Sequence, residues 1–316
     1  MLLGFDIGGT KCAVITGGFE NGEIHIYDKQ KIPTDLTVAP EIMIERLMNL
    51  AEEMLENKGV ESIGVSCGGP LDSTRGIILG PPNLTGWDSV DIVSIISARF
   101  GVPVYLQNDA NACALAEWRF GAGRGCNNMV FLTFGTGLGA GLILNGRLYT
   151  GTNDNAGECG HIRLERFGPV GYGKSGSFEG FCSGNGIAQL GYSMALEQAQ
   201  TGNYPLYYKA GMQCCEVTAK SIADAASMGD ETAVRVYEIC GEQLGRGLSV
   251  LIDILNPERI VIGSVYARSE NLLKESMQRV IDSEALACAA QCCSVVPAEL
   301  GEQIGDFAAL ATAIGG

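Results

Sequence analysis

The stretch Phe5-Asp6-Ile7-Gly8-Gly9-Thr10-Lys11 opens the chain and decides how the rest is read. Apolar residues alternate before it, at Leu3, Phe5 and Ile7, and after it, at Ala13 and Ile15. Period-two alternation on both sides of a glycine pair predicts two strands joined by a tight turn. Two glycines let backbone approach a ligand closely, and successive N–H groups in such a turn can form an anion nest. Asp6 and Thr10 add a carboxylate and a hydroxyl, which suit a phosphate with its metal ion. A Gly-Gly hairpin that merely reverses the chain is the competing reading.

A second segment sharpens the first. Leu132-Thr133-Phe134-Gly135-Thr136-Gly137-Leu138-Gly139-Ala140-Gly141 again places glycines and threonines between two apolar strands. A glycine-rich bulge would look similar. Two such turns in one chain favour a phosphate clamp, because one nucleotide can be held between two lobes. The repetition is also a weak internal repeat, two lobes built on one plan.

Between and beyond the turns, strands and helices alternate, which predicts an α/β fold. Residues 1–32 read as a strand meander, 40–57 as a helix, 62–67 as a strand, 89–100 as a helix and 102–106 as a strand. A helix over 110–118 follows Gln107-Asn108-Asp109. Residues 129–134 and 140–144 read as strands, and the Gly-rich 151–186 as a long functional loop. Helices are predicted over 218–228 and 230–254, a strand over 258–262 and a last helix over 305–313.

The 316 residues suffice for one large or two medium domains, and 46% hydrophobic content argues for a folded globule. A formal net charge of −15 disfavours nonspecific binding to nucleic acid or acidic membranes. The start Met1-Leu2-Leu3-Gly4-Phe5 lacks the basic region of a secretory signal, and no run of about 18 apolar residues exists. The 12 cysteines are scattered, so reduced, largely buried thiols in a cytoplasmic protein are expected.

One further motif competes for the phosphates. Gly168-Pro169-Val170-Gly171-Tyr172-Gly173-Lys174-Ser175 formally matches the Walker A pattern. A true phosphate loop needs a buried strand before it and a helix after it. Arg163-Leu164-Glu165-Arg166 is too charged for the first, and Gly176-Ser177-Phe178-Glu179-Gly180 starts a helix poorly. The match is read as accidental. Asp109, where a strand meets a helix, is either a helix cap or a general base that the helix dipole keeps ionised. Asn83, Asn108, Asp109, Glu158, His161 and Glu179 lie in Gly-rich or junction segments and together could hydrogen-bond a ring of hydroxyls. His25, on a strand, reads as merely exposed.

These segments, with Pro82-Asn83-Leu84-Thr85-Gly86-Trp87, Gly157-Glu158-Cys159-Gly160-His161 and the tail Gly305-Asp306-Phe307-Ala308-Ala309-Leu310, span nearly the whole chain. In that order they resemble the ROK family of bacterial sugar kinases, within the actin/hexokinase superfamily. The resemblance implies two ribonuclease-H-like α/β lobes, the actin-like ATPase fold, around a central cleft. It places the small lobe at 1–117 plus 305–316 and the large lobe at 118–304. It implies an ATP-dependent hexose kinase, most like the glucokinase branch, with Asp109 deprotonating a sugar hydroxyl for attack on the γ-phosphate. Asp6, Gly8, Gly9, Thr10, Lys11, Thr133, Gly135, Thr136, Gly137 and Gly263 would bind ATP, with Mg²⁺ near Asp6. Gly69, Asn83, Asn108, Glu158, His161 and Glu179 would bind a hexose or N-acetylhexosamine. A homodimer is the family expectation. A sugar-binding ROK regulator is the alternative, but the chain reaches its first turn at Asp6 without room for a DNA-binding segment before it. A non-catalytic sugar-binding protein is a third, set against the retention of Asp6, both turns and Asp109.

The chain departs from the family at its zinc-binding run, Cys-x-Cys-Gly-x-x-Gly-Cys-x-Glu. Aligned on Glu179, the three cysteine positions hold Val170, Tyr172 and Ser177. Structural zinc sites rely on thiolates, so no zinc is expected, and packing of Tyr172 and Phe178 is expected to hold the loop instead. Thr85 replaces a common proline, Gly68 stands where proline is frequent, and Ser264 where glycine is frequent.

Overall fold

The computed structural model describes residues 1–56 and 58–315. Strands β1 (Leu2–Ile7), β2 (Lys11–Glu20) and β3 (Glu23–Pro33) form the opening meander. Helix α1 (Pro40–Leu55) follows, burying Met43, Ile44, Leu47, Met48, Ala51 and Leu55 on one face. This is the three-to-four-residue spacing of an amphipathic helix. Then come β4 (Ser62–Cys67), β5 (Leu71–Asp72), β6 (Ile77–Leu79), β7 (Asp88–Asp91), α2 (Ile92–Phe100), β8 (Val104–Asn108) and α3 (Asp109–Phe120). The predicted helix over 89–100 starts later because Asp88–Asp91 pairs with β6, and the Asp91 carboxylate caps α2 by accepting from Ser94 N at 3.1 Å.

The chain continues through β9 (Met129–Phe134), β10 (Leu138–Leu144), β11 (Arg147–Tyr149), β12 (Val170–Gly171), β13 (Lys174–Ser175), α4 (Phe178–Phe181) and α5 (Gly184–Gln200). It ends with α6 (Ala219–Ser227), α7 (Glu231–Leu255), β14 (Arg259–Ile262), α8 (Val265–Glu284), α9 (Ala287–Ala290), β15 (Ser294–Pro297) and α10 (Ile304–Ala313). The region 151–186, read as loop, thus carries a small hairpin and a short helix.

Two five-stranded sheets repeat one plan, with orders β3-β2-β1-β4-β8 and β11-β10-β9-β14-β15. In the first, β2 runs antiparallel to β1 and β3, whereas β1, β4 and β8 are parallel. In the second, β10 and β11 are antiparallel and β14 and β15 parallel. Contacts divide the chain into two compact units. One comprises Met1–Phe131, Gly141–Ala156 and the segment from Glu299 onward; the other comprises Leu132–Ala140 and Gly157–Ala298.

In the first unit, α1 covers one face of the sheet, with Leu3, Phe5, Val65 and Trp87 in the shared core. On the other face, α10 approaches β1 and β4 so closely that a Cβ at Gly64 would lie 2.1 Å from the Ala309 carbonyl oxygen. That approach fixes where Asp306 sits. In the second unit, α7 is capped by Asp230, which accepts from Ala233 N at 2.8 Å. Asn256 ends it in the left-handed region before Pro257. Among the described residues, no helix is long and apolar enough to cross a membrane.

Candidate functional site

The parallel register of the first sheet aligns Ile7, Cys67 and Asn108 across β1, β4 and β8. Asp6, Gly69 and Asp109 therefore collect along one edge, at the carboxyl ends of parallel strands, where α/β sheets bind ligands. The turn after β1 is closed by Gly8 N donating to Lys11 O at 3.2 Å and braced by Thr34 Oγ1 donating to Gly8 O at 2.6 Å. Thr10 and Lys11 are exposed. Gly9 lies against the Asn83 backbone, where a Cβ would come within 2.3 Å of the Asn83 carbonyl oxygen. Phosphate-turn and sugar-binding candidates thus touch in this unit.

Asn108 ends β8 and caps α3, its Oδ1 accepting from Ala110 N at 3.0 Å. A Cβ at Gly69 would lie 3.1 Å from Asn108 Nδ2. Asp109, the first residue of α3, is exposed, and its Oδ1 accepts from its neighbour Ala110 N at 2.8 Å. Asp6 is half-buried, and its carboxyl is pushed up to about 6, first by burial and then by the charges of Asp109 and Asp306. Lys29 and Lys11 pull the other way. Asp306, buried in the first turn of α10, pairs with Lys29. Sequence reading left Asp306 out of the site, although it lies in the tail segment that carries the resemblance. No spacing rule could join it to Asp6 across the length of the chain.

The second unit gathers the other candidates. Thr133 Oγ1 accepts from Gly139 N at 3.0 Å, so this hydroxyl closes the Gly/Thr turn, while Thr136 is exposed. Gly135 O accepts from Gly184 N at 2.8 Å, tying the turn to the start of α5. Glu179, near the start of α4, accepts from Leu138 N at 3.0 Å. A Cβ at Gly137 would meet Glu179 Oε2 at 2.7 Å. Gly160 packs against Glu179 Cβ and Leu138 O, bringing the 157–161 loop to the same place. In that loop Glu158 is exposed and His161 half-buried. Gly263 is buried at the end of β14, its N–H donating to Leu132 O at 3.0 Å.

A cavity of about 830 Å³ opens in this unit, lined by Gly135, Thr136, Tyr172, Glu179, Ser264 and Arg268 among others. Tyr172, Ser264 and Arg268 were not among the sequence candidates. Ser264 adopts φ 57°, unusual for a residue with a Cβ, and its Oγ accepts from Arg268 at 3.3 Å. Its sequence signals are its place beside Gly263 and the glycine that the family frequently carries there, which suits this φ.

The Walker-like stretch is a β-hairpin. Residues 170–171 pair with 174–175, and Lys174 Nζ donates to His161 O at 2.7 Å. Neither a preceding buried strand nor a long following helix exists there, so it lacks phosphate-loop geometry. The residues at the three altered cysteine positions each hold this region. Val170 exchanges two hydrogen bonds with the Gln189 amide, at 3.0 and 2.9 Å. The Tyr172 ring packs on His161, and Ser177 Oγ caps α4 by accepting from Gly180 N at 3.0 Å. Among the described residues, no three His, Cys, Asp or Glu side chains converge to hold a metal ion unaided. All 12 cysteines are free, and burial pushes the Cys159 thiol up to about 12.

Two sheets of this order, each with a glycine-rich turn, match the actin-like ATPase fold of sugar kinases of the ROK type. A family model described as the ROK family matches residues 2–315, and the chain belongs to that family. It is 31% identical to a glucokinase from Thermotoga maritima, over 89% of this chain and 87% of that one. A xylose repressor from Caldicellulosiruptor bescii is 29% identical over 90% of this chain and 70% of its own length. Among solved structures, the ROK family glucokinase from Streptomyces griseus in complex with glucose and AMPPNP superposes with a TM-score of 0.77. It is 28% identical, over 100% of this chain and 99% of that one.

Proposed function

We propose that this protein is an ATP-dependent hexose kinase of the glucokinase type. The observation that carries the reading is the pair Asp6 and Asp109 on one sheet edge, the first with a strained charge, the second exposed at a helix start. An exposed carboxylate suits a general base, which takes the proton from a sugar hydroxyl as that oxygen attacks the γ-phosphate. Gly69, Asn83, Asn108, Glu158, His161 and Glu179 would orient the sugar. The turns at residues 8–11 and 133–137 would present amides to the phosphates, with Gly263 near the adenosine.

The donor set fits magnesium held with phosphates and water rather than by protein alone. Asp6 carries excess negative charge from its neighbours, which a divalent cation would offset. When bound, magnesium would neutralise phosphate charge. The residues replacing the cysteine run support a zinc-free sugar loop. Cytoplasmic location and a homodimer complete the proposal.

The xylose repressor relative favours a second reading, sugar binding without phosphoryl transfer. Incubating the purified protein with ATP, Mg²⁺ and a panel of hexoses and N-acetylhexosamines separates the two. Sugar-dependent ADP release supports the kinase; sugar binding with no ADP release above background refutes it.

A further inference from the structure

Tyr172 stands at the first central position of the two-residue turn between β12 and β13, with φ 42°, followed by Gly173 with φ 76°. Turns of this handedness favour Asn or Gly there, and a bulky aromatic residue is an outlier. Strain retained at such a position points to a role for the side chain. The Tyr172 ring is mostly exposed, so burial in the core does not explain it. It meets one defined partner: the His161 imidazole, edge to face, with ring centroids 5.2 Å apart and planes at 87°.

The rest of the hairpin presses on the same loop. Lys174 Nζ holds the His161 carbonyl oxygen. The Gly171 backbone lies so close to Glu179 that a Cβ would stand 2.8 Å from Glu179 Cβ. Ser177 Oγ donates to Lys174 O and caps the helix that carries Glu179. The hairpin thus backs two of the three proposed sugar ligands of this unit, His161 and Glu179, and Tyr172 makes its ring contact with the imidazole.

We infer that Tyr172 is a positioning residue for sugar binding, holding the His161 imidazole in the orientation that receives a sugar hydroxyl. The inference rests on the kinase reading for His161's role, but the ring contact can be read without it. An aromatic pair of this geometry shifts an equilibrium by roughly two- to tenfold. The effect falls on sugar affinity, because the contact is made before and during phosphoryl transfer alike.

The test compares wild type, Y172F and Y172N. Asn suits the left-handed turn, so Y172N removes the ring while keeping the hairpin. The chain has 2 histidines, so isotope-labelled histidine gives two imidazole signals, with H25Q assigning the other. In Y172N the His161 signal should move, and KM for glucose should rise roughly two- to tenfold. Its kcat and KM for ATP should stay within about twofold of wild type. Y172F should match wild type in every reading. An unchanged His161 signal and glucose KM in Y172N would overturn the inference. So would a rise confined to KM for ATP, which would assign the ring to the nucleotide. If wild type phosphorylates no hexose, the kinase reading fails, while the His161 signal still reports whether Tyr172 positions the imidazole.

Discussion

Replacing Asp6 by Asn should stabilise the protein while disabling it. The Asp6 carboxyl rises from 3.8 to about 6 on folding, because burial and the charges of Asp109 and Asp306 disfavour ionisation. A group that binds its proton more tightly when folded favours the native state at low pH, and that benefit is lost as pH rises through the folded value. About two units at 1.36 kcal/mol each give roughly 3 kcal/mol, reduced to about 2 kcal/mol because Asp6 retains some contact with water. An amide carries no such cost. The D6N advantage should be near zero at about pH 4 and complete above about pH 7. At roughly 2–3 °C per kcal/mol, D6N should melt about 5 °C above wild type at about pH 8. Calorimetric melting at both pH values, without nucleotide, measures this. Adding Mg²⁺ and AMPPNP should raise the wild-type Tm and leave D6N nearly unmoved, because on the kinase reading Asp6 would hold the cation. An equal advantage at both pH values, or none at the higher one, would refute the electrostatic argument.

Asp109→Asn should lower kcat by roughly 10²–10⁴-fold while glucose binding by titration calorimetry persists; full activity would sink the base assignment. Lys174→Met should leave KM for ATP within about twofold, because this lysine holds a carbonyl of the sugar loop; a loss of about a hundredfold in nucleotide affinity would reinstate the Walker-like match. Metal analysis of purified protein should find far less than one zinc per chain, since the three altered positions offer no thiolate; about one zinc per chain would overturn the zinc-free loop.

Local pattern carried much of this fold. The strand at 62–67 was readable because it is a short apolar run between turns, and α7 because its apolar stripe repeats over many turns. Other elements depend on partners that sequence does not display. Helix α5 starts Gly-Asn-Gly, and its Gly191 packs where a Cβ would lie 2.4 Å from Ile222. Low helix propensity is overridden there by contact with α6. Helix α8 is broken by non-helical backbone at Ser269. Among the site candidates, Asp6 and Asp109 stand out in the sequence because each sits at a strand end beside Gly-rich or capping residues. The ties of Asp306 to Asp6 and Tyr172 to His161 are tertiary, and the Tyr172 turn uses a residue that turn chemistry disfavours.

Glu179 gives the second unit its chemical logic. Its carboxylate takes the Leu138 amide of the Gly/Thr turn, its Cβ backs the 157–161 loop at Gly160, and Gly171 of the hairpin presses on it from another side. On the kinase reading, one residue therefore joins the segment that binds phosphate to the segment that binds sugar. A sugar hydroxyl that competed for this carboxylate would weaken its hold on Leu138 N, and so would alter the Gly/Thr turn. On that reading the affinities for the two substrates should depend on each other, and by linkage the dependence would be reciprocal. Glu179→Gln keeps the shape but weakens the bond to Leu138 N, because a charged acceptor binds an amide more strongly than a neutral one. That change should therefore lower glucose affinity and also shrink the difference between the glucose Kd measured with and without AMPPNP; an unchanged difference would refute the link.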